Sequence, residues 1–180
     1  MNIAKKLALL TISTGLGMAI VAAAFLISER TLILEERGNG VRQAVEVAAG
    51  IVERHRDAAT AGSVTQEAAQ AAALAELKTL RYSGSEYFWV NDMQPRMLMH
   101  PTQPALDGTD VGMIADPDGL RLFSVAVDVV RKNDAGFISY MWPKPGQEAP
   151  VPKVSYVKGV TGWNWVVGSG VYLDTVGAVF

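Results

Sequence analysis

The chain opens with one long apolar segment flanked by charges. No charged residue occurs from Leu7 to Ile27, a run of 21 positions, and about 20 apolar residues suffice for a helix to cross the hydrocarbon core of a membrane. Lys5 and Lys6 precede the run, and Glu29 and Arg30 follow it. The pattern predicts a transmembrane helix whose two lysines lie on the cytoplasmic side.

A cleaved signal peptide is the alternative interpretation of this segment. The three alanines at 22–24 resemble the small residues of a cleavage site. The apolar run is, however, longer than the typical signal-peptide core of about 7–15 residues, and it continues through Phe25, Leu26 and Ile27. Both interpretations place the remaining chain outside the cytoplasm.

The region from about Ser28 to Leu80 has a helical pattern. It is rich in residues that favour helices, and apolar residues at spacings of three and four form one face: Val41, Ala44, Val45, Ala48, Ile51 and Val52. Gly38-Asn39-Gly40 is a point where the helix is expected to weaken or kink. The pattern breaks at Gly62-Ser63, and Thr65 then predicts the N-cap of a second helix that ends near Leu80.

After Arg81 the composition changes to aromatic residues, valine, glycine and proline, which are typical of strands and turns. A helix is predicted over Asp118–Lys132, after a loop rich in Gly and Asp. Five strands are predicted: Tyr87–Asn91, Arg96–His100, Gly136–Trp142, Lys153–Lys158 and Trp163–Val171. A long helical start followed by a mostly antiparallel sheet predicts an α+β fold.

Charge and rare residue types exclude several classes of function. The chain has no cysteine, so it forms no disulfide and no cysteine-based metal site. Its net charge of −2 with mixed signs gives no reason to expect nucleic-acid binding. Its two histidines are far apart, and the aspartates of the loop lack the spacing of a calcium-binding EF-hand. No enzyme motif is present, and we expect neither catalysis, nor a metal, nor a cofactor.

Several short stretches together resemble the single Cache sensor domains of bacterial chemoreceptors, the methyl-accepting chemotaxis proteins. They follow the family's order across about half of the chain. They are Tyr87-Phe88-Trp89-Val90-Asn91-Asp92, Met99-His100-Pro101, Leu106-Asp107-Gly108, Gly136 to Pro145, Pro152 to Val157, and Trp163 to Asp174.

The resemblance implies a membrane receptor in three parts. Residues 1–28 would be the cytoplasmic N-terminus and transmembrane helix, residues 29–176 an extracytoplasmic ligand-binding domain in the periplasm, and residues 177–180 the start of a second membrane helix. The domain would combine a long helix with a PAS-like antiparallel sheet. A homodimer is expected through the apolar helical face, together with a chemotaxis kinase and coupling protein reached through a domain absent from this chain.

Aromatic and basic residues suggest the chemistry of the ligand. Tyr87 and Trp89 share one face of a strand, as do Tyr140 and Trp142, whereas Phe88 and Trp165 are expected in the core. The resemblance places Arg81, His100 and Lys153 near the pocket, and Tyr172 is expected to add a hydrogen bond to the ligand. Cationic groups and hydroxyls are suited to bind a carboxylate. Together with this chemistry, the resemblance implies a small organic anion such as acetate, propionate, pyruvate or lactate.

The output of the receptor stays open at this point. The same sensor domain would also suit a histidine kinase or a cyclase. A membrane-anchored periplasmic module that binds a partner protein is a further alternative, and it would not respond to small molecules.

Overall fold

The computed structural model describes residues 3–173 and divides the chain into two units, Met1–Arg37 and Gly38–Phe180. The helices are α1 (Ile3–Thr60), α2 (Gln66–Thr79) and α3 (Leu122–Asn133), with one 3₁₀ turn at Pro104–Leu106. The strands are β1 (Phe88–Asp92), β2 (Met97–Met99), β3 (Ala135–Pro143), β4 (Pro150–Val160) and β5 (Trp165–Tyr172).

The first unit contains the N-terminal part of α1. Its described side chains include five large apolar ones that are between 61% and 75% exposed, namely Leu16, Met18, Ile20, Val21 and Phe25. Among the described residues, no helix combines the length and the apolar character that crossing a membrane requires. The predicted span from Leu7 to Ile27 includes side chains that lie outside this description, and residues 177–180 lie outside it altogether.

The second unit is built around one antiparallel sheet of five strands in the order β2-β1-β5-β4-β3. Register pairs such as Trp89 with Gly168 and Lys153 with Tyr172 align β1, β5 and β4. Successive side chains along a strand point to opposite faces, so the alternation produces two separate cores. The α+β prediction and its five antiparallel strands are confirmed.

One face of the sheet is covered by α1 and α2. The core on this side includes the predicted core residues Phe88 and Trp165, and also Val45 of α1, which is completely buried. The whole apolar face predicted for α1 therefore packs inside its own domain. That face is not available to pair with a second copy, so it no longer supports the expected homodimer, which stays a prediction.

The other face is covered by α3, whose buried side chains belong to a second core. Here the sequence placed the start of the helix four residues too early. The carboxylate of Asp116 accepts backbone hydrogen bonds from Asp118 (3.0 Å) and Leu120 (2.8 Å), and Gly119 adopts a positive φ of 84°. These bonds fold residues 116–120 into a turn, and α3 begins only at Leu122.

The same carboxylate attaches this turn to the sheet. Asp116 Oδ2 accepts a hydrogen bond from the backbone N–H of Met141 on β3, at 2.9 Å. This bond is the main cause of the lowered pKa of the Asp116 carboxyl. A carboxyl whose folded-state pKa is lowered adds stability at neutral pH and loses that contribution as the pH falls through the folded-state value.

We expect Asp116→Ala to lower the free energy of unfolding by about 1–3 kcal/mol, since it removes backbone hydrogen bonds to a charged acceptor. Urea denaturation at pH 7 measures this change. Asp118→Ala is the matched control, because Asp118 is exposed, and it should unfold like the parent. Equal unfolding midpoints for the two variants would show that the turn is held by other contacts.

Candidate ligand-binding site

Lys153 is the central residue of the face that α3 covers. It lies on β4 between Tyr140 of β3 and Tyr172 of β5 in the sheet register, and only 2% of it is exposed. Its Nζ donates to the hydroxyls of Tyr87 (3.2 Å) and Tyr172 (3.4 Å). Side chains from separate parts of the sequence therefore meet at one ammonium group.

This ammonium has aromatic neighbours in place of an acidic partner. Nζ lies 4.4 Å from the ring centre of Tyr87, 4.6 Å from that of Tyr172 and 5.9 Å from that of Trp89. Among the side chains that the structure describes, no carboxylate lies within ion-pair distance of Nζ. Cation–π contacts offset part of the cost of burying a cation, at about 0.5–2 kcal/mol each, but they supply no negative charge.

The phenols of Tyr140 and Tyr172 keep their protons. Burial, as the largest cause, raises the pKa of both Tyr140 and Tyr172, and the nearby Tyr87 raises that of Tyr172 further. Tyr140 shares a hydrogen bond of 2.8 Å with Ser155 Oγ, and Tyr172 donates to the carbonyl of Pro143. The site thus presents neutral hydroxyls, each of which both donates and accepts hydrogen bonds.

His100 lies beside this cluster as a neutral ring. Burial, and then the charge of Lys153, lower the pKa of His100 to about 3. The backbone N–H of Gln103 donates to its Nδ1 at 3.1 Å, so the proton of the neutral ring resides on Nε2. His100 can therefore offer a ligand a neutral N–H donor, but not a positive charge.

Aromatic rings close the site on the side of α3. Phe123 of α3 makes edge contacts with Trp89 (6.4 Å between ring centres) and with Trp142 (5.9 Å). Trp142 also lies near Tyr140 and His100. As predicted, Tyr87 with Trp89 and Tyr140 with Trp142 lie on the same face of the sheet as Lys153.

The two basic residues Arg81 and Lys144 lie at different places relative to this cluster. Arg81 is exposed, and its guanidinium donates to the carbonyls of Lys78 and Leu80 at the end of α2, so the structure does not bring it to Lys153. Lys144 follows the end of β3, and its Nζ is 5.8 Å from the ring centre of Tyr172. Lys144 is therefore a neighbour of the site.

Three further residues belong to the site although the sequence analysis did not single them out. Ser155 is completely buried and pairs with Gly170, where an added Cβ would meet Ser155 Oγ and lie 2.6 Å from the carbonyl oxygen of Val154. Gly168 is equally crowded by the ring of Trp89. The Gly-x-Gly pattern inside a predicted strand was the available signal, since such glycines mark close approach of another group.

An open groove of about 520 Å³ runs along the edge strand β3, lined by Asp116, Asp118, Gly119, Leu120, Ser139, Tyr140, Met141, Pro152, Lys153 and Leu173. Four of these, Ser139, Met141, Pro152 and Leu173, alternate with Tyr140, Lys153 and Tyr172 along their strands. Their side chains therefore face away from the Lys153 cluster. Tyr140 and Lys153 also line the groove, which therefore borders the Lys153 cluster.

A sheet of this topology, with helices on both faces and a polar cluster under α3, defines a sensor domain of the PAS-like class. The sequence pattern of the family Single Cache domain 2 matches residues 33–180. This match covers most of the chain, and the chain therefore belongs to the single Cache domain family. The predicted family is confirmed.

Individual relatives agree with this assignment. The chain is 38% identical over 180 residues to the methyl-accepting chemotaxis protein McpP of Pseudomonas putida, and it spans 33% of that protein's length. It is also similar to a solved periplasmic sensor domain of a chemotaxis protein, with 52% identity and a TM-score of 0.77, covering 78% of this chain and 98% of that one.

A second solved structure is described as the structural basis for carboxylic acid recognition by a Cache chemosensory domain. It is 46% identical to this chain, with a TM-score of 0.77, and the match covers 79% of this chain and 97% of that one. Together these similarities make the chain a chemoreceptor-type sensor domain, which is the extracytoplasmic part of a membrane protein.

We expect the ring nitrogens of His100 to show one fixed protonation state. Nε2 should carry the proton and Nδ1 should not, and neither signal should move between pH 7 and pH 5, because the lowered pKa lies well below this range. Long-range ¹H–¹⁵N NMR of the labelled chain reports both nitrogens. A signal that moves toward the doubly protonated form above pH 5 would contradict the neutral ring.

Proposed function

We propose that this domain binds a short-chain monocarboxylate of the acetate, propionate, pyruvate or lactate type at Lys153. The ligand carboxylate accepts from the Lys153 ammonium and from the nearby phenol of Tyr87. The supporting similarity is the solved Cache domain described as recognising carboxylic acids. The residues of this chain supply an independent reason.

The observation that carries the proposal is the buried, unpaired ammonium of Lys153. Transfer of a charge from water into a protein interior is costly unless a partner of opposite charge is present. The hydroxyls and rings around Nζ provide only dipoles. A bound carboxylate supplies the missing charge, and it then makes a charge-assisted hydrogen bond of the strong kind.

The neighbouring groups favour a small anion with a short tail. His100 donates a neutral N–H, and Tyr140 is held against Ser155, so polar contacts are available around one carboxylate. Trp89 and Trp142 are large apolar side chains on the same face and are suited to contact a short carbon chain. With Lys153 as its buried cation, the site offers one carboxylate a strong partner.

We propose further that the domain is the periplasmic sensor of a methyl-accepting chemotaxis protein in the inner membrane. Leu7–Ile27 would be the anchor, which fits the exposed apolar side chains of the first unit. The signal would reach a chemotaxis kinase and its coupling protein through a domain outside this chain, as the relationship to McpP suggests. Tyr172, at the end of β5, is suited to pass on the change because it contacts both Lys153 and Pro143.

We expect Lys153→Met to abolish carboxylate binding. Removal of one partner of a buried charge pair costs about 2–5 kcal/mol, which corresponds to a loss of about 30- to 4,000-fold in affinity. Calorimetry on the detergent-solubilised full chain with acetate, propionate, pyruvate and lactate measures this loss. Methionine retains the length of the side chain without its charge, so the packing around β4 is preserved.

Two controls accompany this variant. Lys132→Met removes an exposed lysine of α3 and should bind like the parent, as should Arg81→Ala, since Arg81 lies away from the cluster. If Lys153→Met binds as tightly as the parent, the assignment of the site is wrong. If the parent binds none of the four acids but responds to an uncharged compound, the ligand class is wrong.

The proposed topology is tested separately. Alkaline phosphatase fused after Gly62 should be active, because residues beyond the anchor would lie in the periplasm, where that enzyme folds. A cytoplasmic reporter at the same position should be inactive. The reverse pattern would exclude the proposed orientation, and a mature N-terminus near Phe25 would identify the segment as a cleaved signal peptide.

A further inference from the structure

At one end of the Lys153 site, the ring of Trp89 lies against Gly168. Gly168 on β5 is paired with Trp89 of β1 on one side and with Val157 of β4 on the other. A Cβ at position 168 would lie 2.6 Å from both Cε2 and Cη2 of the indole, closer than real side chains approach. The ring of Trp89 therefore lies directly on the backbone of β5, and only glycine permits this position.

Other contacts fix the indole in this position. Its Nε1 donates to the buried side chain of Asn91 at 3.1 Å, and Phe123 of α3 packs against it edge-on. The backbone of β5 thus lies on one side of the ring and α3 on another. A ring displaced from β5 would move into the layer between the sheet and α3, which also contains the Nζ of Lys153, 5.9 Å from the ring centre.

We propose that Gly168 and Trp89 act as a pair that sets the chain length of the acid that the site accepts. This inference rests on the proposed carboxylate-binding function. Lys153 fixes the carboxylate end of the ligand, so the carbon tail must occupy space beside the aromatic rings. How closely Trp89 lies against β5 determines how much of that space remains.

The test is the ratio of affinities for acetate, propionate and butanoate, measured by calorimetry on the detergent-solubilised full chain. Trp89→Phe replaces the indole by a smaller ring and leaves more room for the carbon tail of the acid. The affinity for butanoate relative to acetate should therefore rise by about 10-fold, which is the lower end of the effect of one methylene group in an apolar pocket. Gly168→Ala pushes the indole away from β5 and into the space beside it. The affinity for acetate relative to butanoate should therefore rise.

The double variant Gly168→Ala/Trp89→Phe shows whether the two residues act together or whether each substitution only loosens the packing. A smaller ring tolerates the added methyl group, so the ratio should return toward that of the parent, as expected for two residues in contact. Trp165→Phe is the matched control on the opposite face of the sheet, and it should leave the ratio unchanged. Thermal unfolding of each variant verifies that it is folded.

The outcomes distinguish the two proposals. If the parent binds these acids and folded Trp89→Phe keeps the parent's ratio, the pairing is wrong while carboxylate binding stands. If Gly168→Ala does not fold, the comparison of Trp89→Phe with Trp165→Phe still tests the pairing. Only the former should then change the ratio of affinities. If the parent binds none of the three acids, the proposed function fails, and the inference fails with it.

Discussion

The architecture of the face that α3 covers depends on one buried cation. An ammonium group that has left water requires compensation, and here it is surrounded by side chains from different parts of the chain: Tyr87 before β1, Tyr140 on β3 and Tyr172 on β5. These residues meet only because the register of the sheet is correct. A shift of β4 by one residue would turn Lys153 toward α1 and α2 and bury it in an apolar core.

The two faces of the sheet carry side chains of different chemistry. Valine and alanine side chains of α1 and α2 fill the face that holds Phe88 and Trp165, whereas hydroxyls, a histidine and a lysine occur beneath α3. Tyr87 contacts residues on both faces of the sheet. Its phenol contacts Lys153, and its backbone carbonyl accepts a hydrogen bond from the hydroxyl of Ser169 at 2.6 Å. Ser169 in turn bonds to Tyr82, so the two faces are joined near the start of β1.

Much of this fold follows from the alternation of side chains along the chain. Aromatic and β-branched residues in short runs predicted all five strands, and the sequence located the cap at Thr65, whose Oγ1 accepts from Ala68. The beginning of α3 was less predictable, because the turn at Asp116 uses side-chain hydrogen bonds that compete with a helix. Periodicity also showed that one face of α1 is buried, but it could not show that the chain's own sheet buries it.

The site was only partly predictable for a similar reason. The aromatic pattern suggested Tyr87 and Tyr140, and the resemblance suggested Lys153. The position of the Arg81 side chain instead depends on its hydrogen bonds to two carbonyls at the end of α2, which residue type alone does not show. Gly168 and Gly170 carry no functional group, and their contribution is the side chain that they lack. The significance of a glycine in a strand becomes visible only when the neighbouring strand is in place.

The bond between Asp116 and Met141 also bears on how the protein behaves among other chains. β3 is an outer strand of the sheet, and the unpaired N–H groups of such a strand are a template for addition of a foreign strand and for aggregation. The carboxylate occupies one of these groups and places a negative charge beside it. Any extended peptide that approaches this end of β3 must first displace an anion, so the turn also protects the sheet against unwanted growth.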